Sequence, residues 1–135
     1  MKLFVFGNGN TSFEEYTEKY VSYLCQLKNA EFLVCDFRGV DTLTMEYLKT
    51  KSSKVSVYHI GEKPRYLPAR YRTKVSSWEL FGGYTTDHER DMAAIYHCTH
   101  FLAFDFNVSA QRKSGTATNI EQCLRLDKIP LTEVL

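Results

Sequence analysis

The chain reads as a single α/β domain with a mainly parallel sheet between layers of helices. Three observations predict this. Short apolar runs alternate with amphipathic segments of helical period along the 135 residues. Gly-containing breaks follow the apolar runs, as strand-to-helix turns require. The length suits one domain with its own core and no disulfide staples.

The elements follow in order. Leu3 to Phe6 is a short apolar strand, and Gly7-Asn8-Gly9-Asn10 breaks it. Thr11 and Glu14 fit a capping box, and Phe13, Tyr16, Tyr20, Tyr23, Leu24 and Leu27 recur at helical spacing after it. Phe32 to Cys35 is the second strand, with residues 36–41 as its exit loop. Asp41 is expected to cap a helix running through Leu48. Lys54 to His59 is the third strand, and its alternation suggests a half-buried or edge position. Thr86 and Glu89 form a second capping-box pair ahead of Met92, Ala93, Ile95 and Tyr96. Phe101 to Phe106 is the most apolar strand and is expected at the centre. A helix opening at Ser114-Gly115-Thr116 ends near Leu126. Ile129 to Val134 is the fifth strand, with Pro130 suited to an edge.

Residues 61–85 show no period. They hold Pro64, Pro68 and five basic residues, Lys63, Arg65, Arg70, Arg72 and Lys74. Tyr66 and Tyr71 are interleaved with them, and Trp78 and Phe81 follow. A long irregular loop is expected here, with a short helix around Ser76 to Phe81. Such a loop reads first as a solvated flap, then as a phosphate-gripping lid, then as an RNA-binding patch.

Net charge is +1, so nothing global calls for nucleic acid or a membrane. Cys25, Cys35, Cys98 and Cys123 are scattered, and the spacing of His59, His88, His97 and His100 supports no metal site. Cys35 and Cys98 are expected as buried free thiols. The apolar N-terminal run is too short for a signal peptide or a span, so a cytoplasmic protein is expected.

In open α/β sheets, ligands bind outside the strand carboxyl ends, where strand order reverses. Three exit loops are suggestive there. Gly7, Asn8, Gly9 and Asn10 offer backbone amides. Arg38, Gly39 and Asp41 offer a guanidinium, a close-approach position and a carboxylate. Lys113-Ser114-Gly115-Thr116-Ala117-Thr118-Asn119 opens a helix, where unpaired N–H groups and the helix dipole favour an anion. Arg90 and Asp91 are placed to reach the same rim. Each has a structural alternative: Gly7 and Gly9 as a tight turn, Asp41 as an N-cap, Arg38 as a solvated charge, Arg90 and Asp91 as a surface ion pair.

Taken together, these motifs resemble the SLOG superfamily of Rossmann-like nucleotide-binding domains. The resemblance rests on Gly7 to Asn10, Arg38-Gly39-Val40-Asp41, Arg90-Asp91-Met92 and Ser114-Gly115-Thr116, and covers most of the chain outside residues 61–85. It implies a three-layer Rossmann-like fold with a five-stranded sheet in the order 3-2-1-4-5. It also implies a nucleotide or nucleotide-derived ligand, with no certain cofactor, and a homo-oligomer is a further expectation. Ligand contacts are expected from Gly7, Asn8, Gly9, Asn10, Arg38, Gly39, Asp41, Arg90, Ser114, Gly115, Thr116 and Asn119, with Trp78 or Tyr71 as a stacking candidate. The phosphoribohydrolase branch carries paired Glu residues after its Gly-Thr turn; Thr118 and Asn119 stand there in this chain. An N-glycosidic hydrolase or transferase acting on nucleoside monophosphates is therefore the alternative, its carboxylate drawn from Asp41, Asp91 or Glu121. An interaction module using the basic loop 63–74 is the second alternative, although nucleic acid is not the expected partner.

Overall fold

The computed structural model describes residues 1–109 and 111–135. Its centre is a six-stranded parallel sheet. The strands are β1 (Lys2–Val5), β2 (Glu31–Cys35), β3 (Val55–Ile60), β4 (Glu79–Tyr84), β5 (His100–Leu102) and β6 (Ile129–Pro130). They lie in the order β4-β3-β2-β1-β5-β6. The expected order of five is present within this one, and β4 is added at an edge.

Strand alternation builds the layers. Leu3, Val5, Val34, Val55 and Val57 face one core with Tyr16, Tyr20, Met45 and Leu48. Those four come from the helical segments α1 (Phe13–Tyr16), the π-helical turn Thr17–Val21 that continues it, and α3 (Val40–Leu48), with α2 (Ser22–Leu24) between. Phe4, Phe6, Leu33, Cys35 and Phe101 face the other core with Ala94, Ile95 and Cys123. These last three belong to α4 (Asp87–His97) and α5 (Gly115–Arg125). A period-2 pattern buried on both sides is what a helix-flanked parallel sheet requires. Cys35 and Cys98 are buried free thiols, as expected, and Cys123 joins them.

The fourth and fifth strands correct the sequence reading in several places. Segment 61–85 is not a loop throughout. It crosses over α3, forms a 3-10 turn at Val75–Ser77, and returns as β4. Trp78 is buried on this side and donates Nε1–H to Ser52 O at 2.8 Å. The β4 sequence hides its nature because it is an edge: most of its residues stay exposed, and adjacent glycines carry no pattern. A one-residue shift between Tyr58 and Ile60 marks a bulge at those glycines. With β4 outside it, β3 is an inner strand rather than an edge. β5 lies one strand from the other edge, not at the centre, and stops at Leu102. Beyond that the backbone pairs with side chains: Phe104 N–H donates to Tyr20 Oη at 3.0 Å and Phe106 N–H to Asn8 Oδ1 at 2.7 Å. β6 is short and turns into a 3-10 helix at Leu131–Glu133; Pro130, lacking an N–H, sits in this edge strand as expected.

Helix starts also shift. The capping box is Ser12 with Glu15, one residue later than the Thr11 and Glu14 pairing. Thr86 does cap α4 by accepting Glu89 N–H, but the Glu89 carboxylate takes the Thr85 hydroxyl instead of closing the box. Asp41 is not an N-cap. Gly39 holds that position, with φ at 73°, and a Cβ there would strike the Asn8 carbonyl. No helix among the described residues is long and apolar enough to cross a membrane.

Candidate functional site

The carboxyl ends of β1, β2 and β5 open into a cleft of about 410 Å³. β1 and β5 are neighbours whose following helices pack on opposite faces of the sheet, so this is where the strand order reverses. Phe4, Phe6 and Cys35 form its floor. Gly7, Asn8, Gly9 and Phe37 line one part, Ser114, Gly115, Thr116 and Asn119 another, and Asp41, Asp87, Arg90 and Asp91 a third.

The first exit loop and the α5 turn are bonded to each other. The buried Asn8 amide donates Nδ2–H to Thr116 Oγ1 at 3.2 Å and to Asp105 Oδ1 at 3.0 Å, while its oxygen accepts Phe106 N–H. Asn8 is thus a pin that holds the cleft walls at a fixed separation. Gly7 and Gly9 serve close packing: a Cβ at 7 would meet the Tyr20 hydroxyl, and one at 9 would stand 2.7 Å from the Phe37 ring. Asn10 is exposed and pairs with Asn107 through both amide groups. On α5, the Ser114 hydroxyl caps the helix by accepting Ala117 N–H at 2.9 Å. Gly115 is different from the other cleft glycines, since among the described residues a Cβ there would meet nothing within 4 Å. Among the described residues, the amides of Gly115 and Thr116 in the first turn of this 11-residue helix have no hydrogen-bond acceptor.

The α4 side is built from charge. Arg90 is 3 % exposed, and its guanidinium is bound by three carboxylates. Nη1 reaches Asp36 at 2.9 Å and Asp87 at 3.1 Å, while Nε and Nη2 both reach Asp91 Oδ1, at 3.1 and 2.9 Å. Arg65 from the crossover grips the same Asp36 through Nε, Nη2 and its own backbone N–H. Burial works upward on the Asp36 carboxyl, but the Arg65 hydrogen bonds and the charges of Arg65 and Arg90 outweigh it and hold the pKa below the ordinary value. Asn119 donates to Asp91 Oδ2 at 3.0 Å, so it orients that carboxylate.

Asp41 has the opposite fate. It is 5 % exposed and lines the cleft, and Oδ2 accepts Phe37 N–H at 3.0 Å. Burial pushes its pKa up to about 7; the Phe37 amide and Arg90 act downward, and Asp91 and Asp36 act upward. Burial also raises the Cys35 thiol well above its ordinary value, so it stays protonated.

The remaining expected residues lie elsewhere. Arg38 stacks beside the Phe37 ring at 5.4 Å and does not line the cleft. Glu121 is exposed and paired with Lys113 at 2.7 Å. Trp78 belongs to the α3-side core, and Tyr71 is exposed and lines no part of the cleft. Sequence reasoning missed Asp36, Arg65, Asp87 and Asp105 in the polar network, and Asn107 and Arg112 in the cleft lining. Asp36 follows an apolar strand directly and was findable by position. Arg65 was not, because the crossover that delivers it carries no periodic signal.

Searches against protein-family models, curated proteins and solved structures matched nothing.

Proposed function

We propose that the cleft binds a nucleotide or nucleotide-derived small molecule, as the resemblance to the SLOG superfamily implies. The phosphate rests on the first turn of α5, on the amides of Gly115 and Thr116 and the hydroxyl of Ser114. One observation carries this reading: among the described residues the Gly115 and Thr116 amides of α5 have no acceptor, in a cleft at the strand-order reversal that the Asn8–Thr116 contact holds in shape. Arg90 assists by fixing Asp91 and Asp36 rather than by touching phosphate, since its nitrogens are already bonded to carboxylates.

Thermal-shift measurement with a nucleotide panel tests the proposal. A ligand at a hundredfold excess over Kd adds about 2.7 kcal/mol of apparent stability. Gly115→Asp is the matched variant. Position 115 accepts a side chain without a clash, and an acidic residue suits a helix's first turn. The variant is expected to fold at least as stably as the parent and to lose the nucleotide shift, because its carboxylate repels phosphate from the same amides. A shift of unchanged size in Gly115→Asp would count against the α5 turn.

A second reading, cleavage of an N-glycosidic bond in nucleoside monophosphates, draws support from Asp41. A carboxyl with a pKa near 7 can protonate a departing base, and Asp91 supplies an anion in the same cleft. Incubation of purified protein with nucleoside monophosphates checks it, and no base release at high protein concentration removes it.

A further inference from the structure

We infer that Asp41 acts in the cleft as a hydrogen-bond donor, a carboxylic acid that presents O–H to an acceptor atom of the ligand. The inference rests on the nucleotide reading for its ligand, and on the residues around Asp41 for everything else.

Charge counting leads to it. Asp36, Asp87 and Asp91 hold one buried guanidinium, that of Arg90, and Asp41 lines the same cleft within reach of its charge. Asp36, Asp87 and Asp91 take all of its nitrogens, and Arg65 adds its own charge to Asp36 and Asp87. Asp41 has no cationic partner among the described residues. A carboxyl buried without a cation holds its proton, because the ion would have to give up its hydration for nothing in return. The other groups that face it reinforce this. Asp36 and Asp91 are like charges, the Cys35 thiol is neutral, and the hydroxyls of Tyr16 and Tyr20 are neutral and already bonded to Thr44 and to the Phe6 carbonyl.

The hydrogen bonds then locate the proton. Oδ2 accepts Phe37 N–H, so the acidic hydrogen belongs on Oδ1. Oδ1 has no hydrogen-bond partner among the described residues, yet it is not among the fully buried orphan oxygens, so it keeps some solvent contact on a residue that lines the cleft. Donors in the cleft wall select ligands by acceptor: a carbonyl, a ring nitrogen or a phosphoryl oxygen satisfies this O–H. Loss of the proton would turn the contact into repulsion for any such group. The ligand is therefore held by the protonated form, and affinity falls as pH rises through neutrality.

Two measurements test this, with Asp41→Asn as the matched variant. Asn keeps the shape, offers its oxygen to Phe37 N–H, and presents a permanent N–H to the cleft. First, a carboxyl ¹³C titration, with the Asp41 signal assigned by its absence in the variant, is expected to show a midpoint near neutrality. A midpoint in the ordinary carboxylate range overturns the inference whatever the ligand. Second, calorimetric binding of AMP is expected to weaken about tenfold between pH 6 and pH 8 in the parent, as the competent fraction shrinks, and to hold steady in Asp41→Asn after the AMP phosphate's own titration is subtracted. AMP binding with the same pH profile in both proteins overturns the role of Asp41. No AMP binding at either pH, with the neutral midpoint present, overturns AMP as the ligand, while the midpoint still supports a protonated Asp41.

Discussion

Replacing Arg90 with Met lowers the unfolding free energy by about 3 kcal/mol or more, the cost of leaving buried carboxylates without their cation. Asp36 is 2 % exposed and keeps only Arg65, whose guanidinium is half exposed and screened by solvent. Asp91 loses both of its guanidinium contacts and keeps Asn119. The loss is coupled to the partner charge. In the double variant Arg90→Met with Asp36→Asn, the neutral amide no longer needs a cation, so the combined loss is smaller than the sum of the single losses. Urea unfolding at pH 7 reads all four corners of this cycle. Strictly additive losses would mean that Arg90 packs against Asp36 without stabilising its charge.

The second large effect has the opposite sign. Asp41→Asn is expected to stabilise the fold at pH 8 by on the order of 2–3 kcal/mol, less than the full linkage energy because the amide needs hydrogen bonds of its own. The direction follows from the raised pKa. Folding moves the Asp41 carboxyl from 3.8 to about 7, so between those values the native state holds a proton that the unfolded chain has released. Stability from this group therefore declines as pH rises from about 4 to 7, and is level above. The Asn variant lacks the decline, so its advantage grows across that window and then stays constant. Asp36 works in the other direction. Its native pKa is lowered, so its contribution is present above the ordinary carboxylate value and is lost as pH falls through the native one. Equal stability of parent and variant at pH 8, or an advantage that does not change with pH, would remove the picture of a protonated Asp41. A cleft residue whose replacement strengthens the fold is one retained for something other than stability.

Legibility differed between the two kinds of site residue. The exit loops were visible because each follows an apolar strand, and strand ends are local features. Gly7 to Gly9, Asp41 and Ser114 to Thr116 do line one cleft. Their roles were not visible. Asn8 reads as a turn residue, yet it holds Thr116, Asp105 and the Phe106 amide. Arg90 reads as a phosphate contact or as half of a surface pair with Asp91; the pair is present, but the guanidinium is buried and is shared with Asp36 and Asp87. Arg38 and Glu121 have suitable chemistry, and neither lines the cleft.

The sequence alone determined the layers and the parallel core of the sheet. Period-2 burial in the strands, helical periodicity and capping residues are set by neighbours within a few positions, and such interactions can be read along the chain. The tertiary structure decided the edge strand β4, the early end of β5, the charge state of Asp41 and the partners of Arg90. These depend on contacts between residues far apart in sequence, Asp36 with Arg65 and Arg90, Asn8 with Asp105 and Thr116. Burial and the local balance of charge exist only after those segments have been brought together.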